Sequence, residues 1–162
     1  MSGVAPLRPC LSPLQFQNVM KQNDGLTRMS DHRLLNPPTM HRPVGYSHVA
    51  EVTGAKIVFI AGQVALDKEG NLVGKDDYAA QTRQTFENLK SAVEAVGGTL
   101  RDIIKLNYYC VDVSHLPEVR TVRDTFLDKD RLPTSTAVEV RRLFRPDILI
   151  EIEAVAAIPI SP

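Results

Sequence analysis

Two glutamates, Glu151 and Glu153, stand in the last apolar run of the chain, separated by Ile152. In a strand, alternate residues leave the same face, so both carboxylates project together. A carboxylate so placed orients water and exchanges its proton, or else it pairs with an arginine at an interface. Glu153 reads more simply as such a structural partner. Gln63, at the end of an earlier apolar run, either orients a polar substrate or satisfies buried backbone. Gly62 beside it admits a backbone N–H close to a ligand, or simply a close strand contact. Arg120, Arg123, Arg141 and Arg142 are the available cations, each a solvated surface residue by default. Arg141 shares strand parity with Ser135, but six residues of strand separate them by about 20 Å, so within one chain they cannot work together. His48 and His115 lack metal-like spacing with other ligands, and each reads as a satisfied or exposed histidine. Cys10 and Cys110 are too few for a disulfide scaffold or a structural zinc site. They suit a reducing cytoplasm, with Cys110 a small buried hydrophobe. No Gly-x-Gly-x-x-Gly, P-loop or Gly-x-Ser-x-Gly occurs, so nucleotide-dependent and serine-hydrolase chemistry have no support.

The elements that must position these residues begin after Pro43. Tyr46–Val52 and Lys56–Gln63 read as strands joined at Thr53-Gly54, which predicts a hairpin. Residues 67–74 form an exposed loop. Asp76 or Asp77 then caps a helix whose apolar stripe is Tyr78, Thr82, Phe86, Leu89, Val93 and Val96. Arg83, Glu87, Lys90 and Glu94 point to water, and Gly97-Gly98 ends the helix. Ile103–Val111 is a third strand by its β-branched and aromatic content. Ser114 caps a second helix, with Pro117 in its first turn and Leu116, Val119, Val122 and Phe126 on one face. Thr134–Leu143 alternates as a strand, Arg145-Pro146-Asp147 turns the chain, and Ile148–Ile158 is the last strand. The order is ββαβαββ. Two amphipathic helices cover only one face of such a sheet. In the last strand Ile148, Ile150, Ile152, Ala154 and Ala156 share one face, and Leu149, Glu151, Glu153, Val155 and Ala157 the other. Both faces are apolar enough to call for burial, and in so small a chain the second cover is another copy.

At 162 residues and 17.9 kDa the chain is one domain in size. Nineteen basic residues balance nineteen acidic ones. Zero net charge argues against nucleic acid, whose binding draws on a basic surplus, and against a polybasic membrane-surface role. No apolar run approaches the ~20 residues of a membrane span. Pro6, Pro9, Pro13, Pro37, Pro38 and Pro43 crowd the start, where no helical or strand period runs. Residues 1–28 read as a mobile extension, 29–43 as an irregular lead-in and 44–162 as a single domain. The start lacks the signature of a secretory signal, and Asp24 and Asp31 interrupt any transit peptide.

Five stretches then occur in register with these elements: Tyr46-Ser47-His48; Ala61-Gly62-Gln63; Gln81-Thr82 with Asn88-Leu89; Gly97-Gly98 before Asp102-Ile103-Ile104-Lys105; and Glu151-Ile152-Glu153-Ala154. Together they resemble the YjgF/RidA (Rid, reactive intermediate deaminase) family, whose members also carry the label L-PSP endoribonuclease. The resemblance spans roughly residues 43–158. It implies an α+β, chorismate-mutase-like mixed sheet with two helices on one face. It also implies a homotrimer whose sheets close into a barrel, with a small-molecule cleft at each subunit interface. The implied reaction is hydrolysis of imines or enamines with release of ammonia, and no metal or organic cofactor is implied. Glu151 matches the water-activating glutamate. Tyr46, Ser47, Gly62 and Gln63 fall at cleft-lining positions.

The family's substrate-clamping arginine lies in a Pro-Ala-Arg-Ser stretch, which here is Pro133-Thr134-Ser135-Thr136. A hydroxyl does not replace a charged, planar five-donor fork. Its loss costs on the order of 2–4 kcal/mol of carboxylate recognition. The chain therefore resembles a branch lacking that arginine. A helical position that is often asparagine in the family reads Val119-Arg120, which makes Arg120 a candidate for substrate binding. Three functions are implied: an imine or enamine hydrolase, a non-catalytic ligand-binding or regulatory trimer, and a ribonuclease. Zero net charge, no Trp, no basic–aromatic interleaving and no histidine pair speak against the third.

Overall fold

The protein, described here as a computed structural model over residues 32–160, is an α+β fold. The extension expected over residues 1–28, with Cys10, lies outside the described residues. Strand β1 (His32–Leu35) pairs antiparallel with β2 (Val49–Val52), His32 opposite Val52. Strand β3 (Ala55–Gln63) leads to helix α1 (Tyr78–Glu94), and β4 (Ile103–Cys110) to helix α2 (Leu116–Arg123). Strands β5 (Thr134–Glu139) and β6 (Ile150–Pro159) complete the chain. The main sheet runs β3-β6-β4-β5. β6 is antiparallel to both neighbours, while β4 and β5 are parallel and joined through α2.

Four details differ from the sequence expectation. The order is βββαβαββ, because the lead-in contains the short strand β1. β2 and β3 do not form a hairpin: β2 pairs with β1, and β3 with β6. Two-residue hairpins need positive φ at both turn positions or at the first. Here Gly54 alone has it (φ +68°), at the second position, so the turn splays the strands. Helix α2 is entered through a 3-10 turn at Val113–His115, whose cap is Asp112 rather than Ser114; Asp112 Oδ1 accepts from Ser114 N at 2.8 Å. β5 stops at Glu139, four residues before the expected end, so Arg141 is not on the strand at all.

The rest follows the pattern. Asp77 caps α1, accepting from Ala80 N at 2.9 Å. The stripe residues Tyr78, Thr82, Phe86, Leu89 and Val93 are buried, whereas Val96 lies past the helix end and is exposed. The core is Phe86, Leu89, Val93, Leu106, Ile150 and Ile152 with their neighbours. Each large side chain so buried contributes about 1.5–3 kcal/mol. Phe126 joins it by stacking on Phe86, centroids 5.2 Å apart. Helix α1 packs on the Ile150, Ile152, Ala154 and Ala156 face of β6, and α2 packs against α1 with Val119 in the same core. The opposite face is uncovered: Phe59 is 81% exposed and Ile57 43%.

Candidate active site

The uncovered face carries the polar cluster. β6 presents Glu151 and Glu153 there, because Ile150, Ile152 and Ala154 take the helix side. β4 lies beside it in register, Asn107 opposite Glu153 and Tyr109 opposite Glu151. Asn107 Nδ2 donates to Glu153 Oε1 at 2.5 Å and Tyr109 Oη donates to the same oxygen at 3.0 Å. The carboxylate as acceptor holds the Tyr109 proton, so its pKa rises. Glu153 is therefore anchored, as its reading as a structural partner expected, although its partners are an amide and a phenol rather than an arginine.

Glu151 makes no side-chain hydrogen bond or ion pair among the described residues, and its neighbour across the sheet is Gly62. Between β3 and β6 the register slips: Ile60 faces Ala154, but Gln63 faces Ile152. The extra residue is a β-bulge at Ala61-Gly62, a device that re-aims a strand. It brings Gly62 over the glutamate so closely that a Cβ there would meet Glu151 Oε1 at 1.8 Å. Only glycine leaves the carboxylate its place. Partial burial raises the Glu151 pKa above the ordinary carboxylate value, and the charge of Glu153 adds to the rise. The result is one fixed glutamate beside one free, more basic glutamate. Next to them a concavity of about 480 Å³ is lined by Phe59, Ala61, Lys105, Asn107, Glu153 and Val155.

The family model described as endoribonuclease L-PSP matches residues 39–158. The chain belongs to that family, the YjgF/RidA or Rid proteins. A RutC family protein of Pyrococcus horikoshii is 38% identical over 116 residues, 71% of this chain and 89% of that protein. A 2-iminobutanoate/2-iminopropanoate deaminase of Salmonella typhimurium is 34% identical over 111 residues, 67% of this chain and 85% of the enzyme. The crystal structure of a Rid family protein of unknown function from Yersinia pestis superposes with a TM-score of 0.71 at 34% identity, covering 79% of this chain and 99% of that one.

The remaining site candidates of this Rid protein are dispersed. Gln63 turns back on its own strand, donating to Ala61 O at 3.1 Å. Ser47 is buried and ties loops together: Oγ donates to Leu132 O at 2.7 Å and N to Pro133 O at 3.1 Å. Tyr46 lines a second cavity, its hydroxyl 2.9 Å from His41 Nε2, and His48 packs edge-on against both rings. Ser135 lies opposite Leu106, whereas Asn107 and Tyr109 lie opposite the glutamates. By alternation Ser135 leaves the helix-covered face, so one chain does not bring it to Glu151. Arg120 is exposed on α2 with no side-chain hydrogen bond or ion pair among the described residues. Arg141 and Arg142 are exposed beyond β5. Arg123 corrects the expectation of a solvated surface residue. It is 6% exposed, donates to Gly45 O at 2.7 Å, and meets Asp124 Oδ1 through Nε at 2.9 Å and Nη2 at 2.6 Å. His115 stacks on Tyr78 with centroids 4.1 Å apart. Burial pushes the Cys110 thiol up to about 11, so it is not a nucleophile.

Asn107 and Tyr109 are functional-face residues that the sequence reading missed. Their signal was the alternation of β4, where Ile104, Leu106, Tyr108 and Cys110 are buried and Lys105, Asn107 and Tyr109 are not. Gln81 and Asn88, quoted only as motif residues, prove structural. Gln81 donates to Gly74 O at 3.1 Å and Asp147 O at 2.8 Å, and accepts from Leu149 N at 2.8 Å. Asn88 donates to Val64 O and Leu66 O, both at 2.9 Å.

Proposed function

We propose that the protein hydrolyses a small imine or enamine, or a related carbon–nitrogen bond, with Glu151 as the catalytic base. The single observation behind this reading is the free Glu151 carboxylate seated over Gly62, with a raised pKa, on the open face of a Rid fold. In the reaction Glu151 accepts a proton from water as the water oxygen bonds to the imine carbon. The C=N π pair moves to nitrogen. Glu151 then returns its proton to the nitrogen, which gives a carbinolamine; it next takes the carbinolamine O–H proton and passes it to the nitrogen as the C–N bond breaks, so that a carbonyl and ammonia leave. Atoms balance as imine plus water gives carbonyl plus ammonia, with no redox partner. The raised pKa makes Glu151 a stronger base than an ordinary carboxylate, which suits a group that must both take and give a proton.

The site is completed between subunits. The exposed Phe59 and Ile57 beside the glutamates favour burial against further copies, and the homotrimer implied by the family resemblance supplies them. The test generates 2-imino acids from L-amino acids with an amino-acid oxidase and catalase, and follows ammonia release with and without the protein. Acceleration over the spontaneous rate supports the reading; none across a broad panel of imines removes it.

One observation favours a second reading, a non-catalytic ligand-binding or regulatory trimer. Position 135 offers a hydroxyl in place of a guanidinium. Saturable thermal stabilisation by small carboxylates or ketones without turnover of any imine would select it.

A further inference from the structure

Tyr109 bypasses its nearest acceptor. It stands directly opposite Glu151 in the β4–β6 ladder, with Asn107 opposite Glu153. Side chains directly opposed across such a ladder start about 5 Å apart, and diagonal ones about 7–8 Å. Tyr109 nevertheless gives its hydroxyl proton to the diagonal carboxylate, Glu153 Oε1, at 3.0 Å. Two features of the chain produce that choice. Asn107 Nδ2 donates to the same Oε1 at 2.5 Å and pins it beside β4. On the other side Gly62 opens room toward β3, and the Glu151 carboxyl fills it, with Oε1 1.8 Å from where a Cβ on residue 62 would stand. The two glutamates therefore lean apart, one to each neighbouring strand.

The choice has a chemical consequence. A phenol that donates to a carboxylate favours the ionised form and so weakens it as a base. It also occupies a lone pair that must receive the proton of water. Tyr109 is within electrostatic reach of Glu151, whose charge helps to hold the phenol proton in place. The other groups on this face do not compete for Glu151. β6 adds Glu153, itself an acceptor. β3 brings Ala61 and Gly62, with Gln63 turned back on Ala61 O. On β4 the cation Lys105 lies further along the strand, beside Val155.

We propose that Glu153 is a positioning residue for the base: pinned by Asn107, it captures the Tyr109 hydroxyl, which would otherwise donate across the ladder to Glu151. This rests on the hydrolysis reading only in giving Glu151 a reaction to perform; the capture itself requires no turnover.

The test pairs two measurements on the full chain, with melting and association matched. One is the rate of hydrolysis of 2-imino acids generated by an amino-acid oxidase. The other is the titration of the Glu151 carboxyl carbon, followed by NMR without substrate and assigned by its loss in Glu151→Gln. Glu153→Ala removes the captor and turns the Tyr109 hydroxyl to Glu151. The rate is expected to fall at least tenfold and the Glu151 midpoint to move down by about one pH unit. Adding Tyr109→Phe to Glu153→Ala removes the intruding hydroxyl. It is expected to raise the rate at least threefold over Glu153→Ala and to bring the midpoint back up. Glu153→Gln loses the charge but keeps an acceptor for the phenol, and is expected to stay at least threefold faster than Glu153→Ala. Equal rates for Glu153→Gln and Glu153→Ala, an unmoved midpoint in Glu153→Ala, or a double variant no faster than Glu153→Ala overturns the proposal. The midpoints separate the two claims. A wild type that hydrolyses no imine, with a midpoint that falls in Glu153→Ala and recovers in the double variant, upholds the capture and defeats hydrolysis. A wild-type rate and midpoint in Glu153→Ala do the reverse.

Discussion

Gly62 and Glu151 depend on each other. A methyl at position 62 would lie 1.8 Å from Oε1, far inside contact distance, and the carboxylate end is the part free to move. Gly62→Ala therefore displaces Glu151 and leaves the strands intact. Hydrolysis should fall tenfold or more while the thermal midpoint shifts by only a few degrees; a wild-type rate would show that the position of Glu151 does not matter. Glu151 also costs the fold something. Its folded pKa lies above the ordinary carboxylate value of 4.5, so the folded state holds the proton more tightly than the unfolded chain. Stability from this group is complete below that unfolded value and is lost as pH rises through the folded one. Glu151→Gln should thus melt above the wild type at pH 8, and the difference should close below pH ~4. A gap that widens in acid would reverse the sign. Both residues were singled out from sequence, but for separate reasons. Their contact depends on a one-residue bulge, which no local pattern announces.

At the scale of elements, side chains that stand in for backbone decide more than propensity does. Gln81 is fully buried and makes three hydrogen bonds, joining α1 to the loop at Gly74 and to the approach of β6. Gln81→Leu leaves the Asp147 carbonyl and the Leu149 N–H without that partner, while Gly74 O keeps the Asp77 N–H at 3.2 Å. Denaturant unfolding should show a loss of about 2–4 kcal/mol; less than 1 would mean that water replaces the side chain. Asp77→Ala removes the α1 cap and should cost about 1 kcal/mol by the same assay. Helix α1 was legible because its stripe has a helical period and its cap is a short acid. The short β1 was not, since four residues among prolines carry no period. The hairpin failed on one stereochemical detail, a glycine in the second rather than the first turn position. Asp112 displaced Ser114 as cap because the 3-10 turn starts the helical segment earlier than the apolar stripe indicates.

For the whole molecule, the alternation of β6 announced a sheet apolar on both faces. The structure leaves the Phe59 face uncovered, beside the glutamates. Phe59→Lys places a charge where the proposed trimer requires burial. Sedimentation at micromolar concentration should show the wild type associated and the variant monomeric, with hydrolysis lost alongside. An associated Phe59→Lys protein would put the interface elsewhere. What the sequence could not display is the separation of the candidates in space. Tyr46 and Ser47 line one cavity, Asn107 and Glu153 the other, Glu151 sits against Gly62, and Ser135 faces away from both glutamates.

The role of Glu151 as the base is tested most directly by the rate of imine hydrolysis measured for wild type and Glu151→Gln across pH, with folding and association matched. The wild-type rate should rise with pH through the elevated Glu151 pKa and level off. Glu151→Gln should be slower by about 10²–10⁴-fold, with no such rise. A variant that keeps the wild-type rate and pH profile would contradict the assignment of Glu151 as the base.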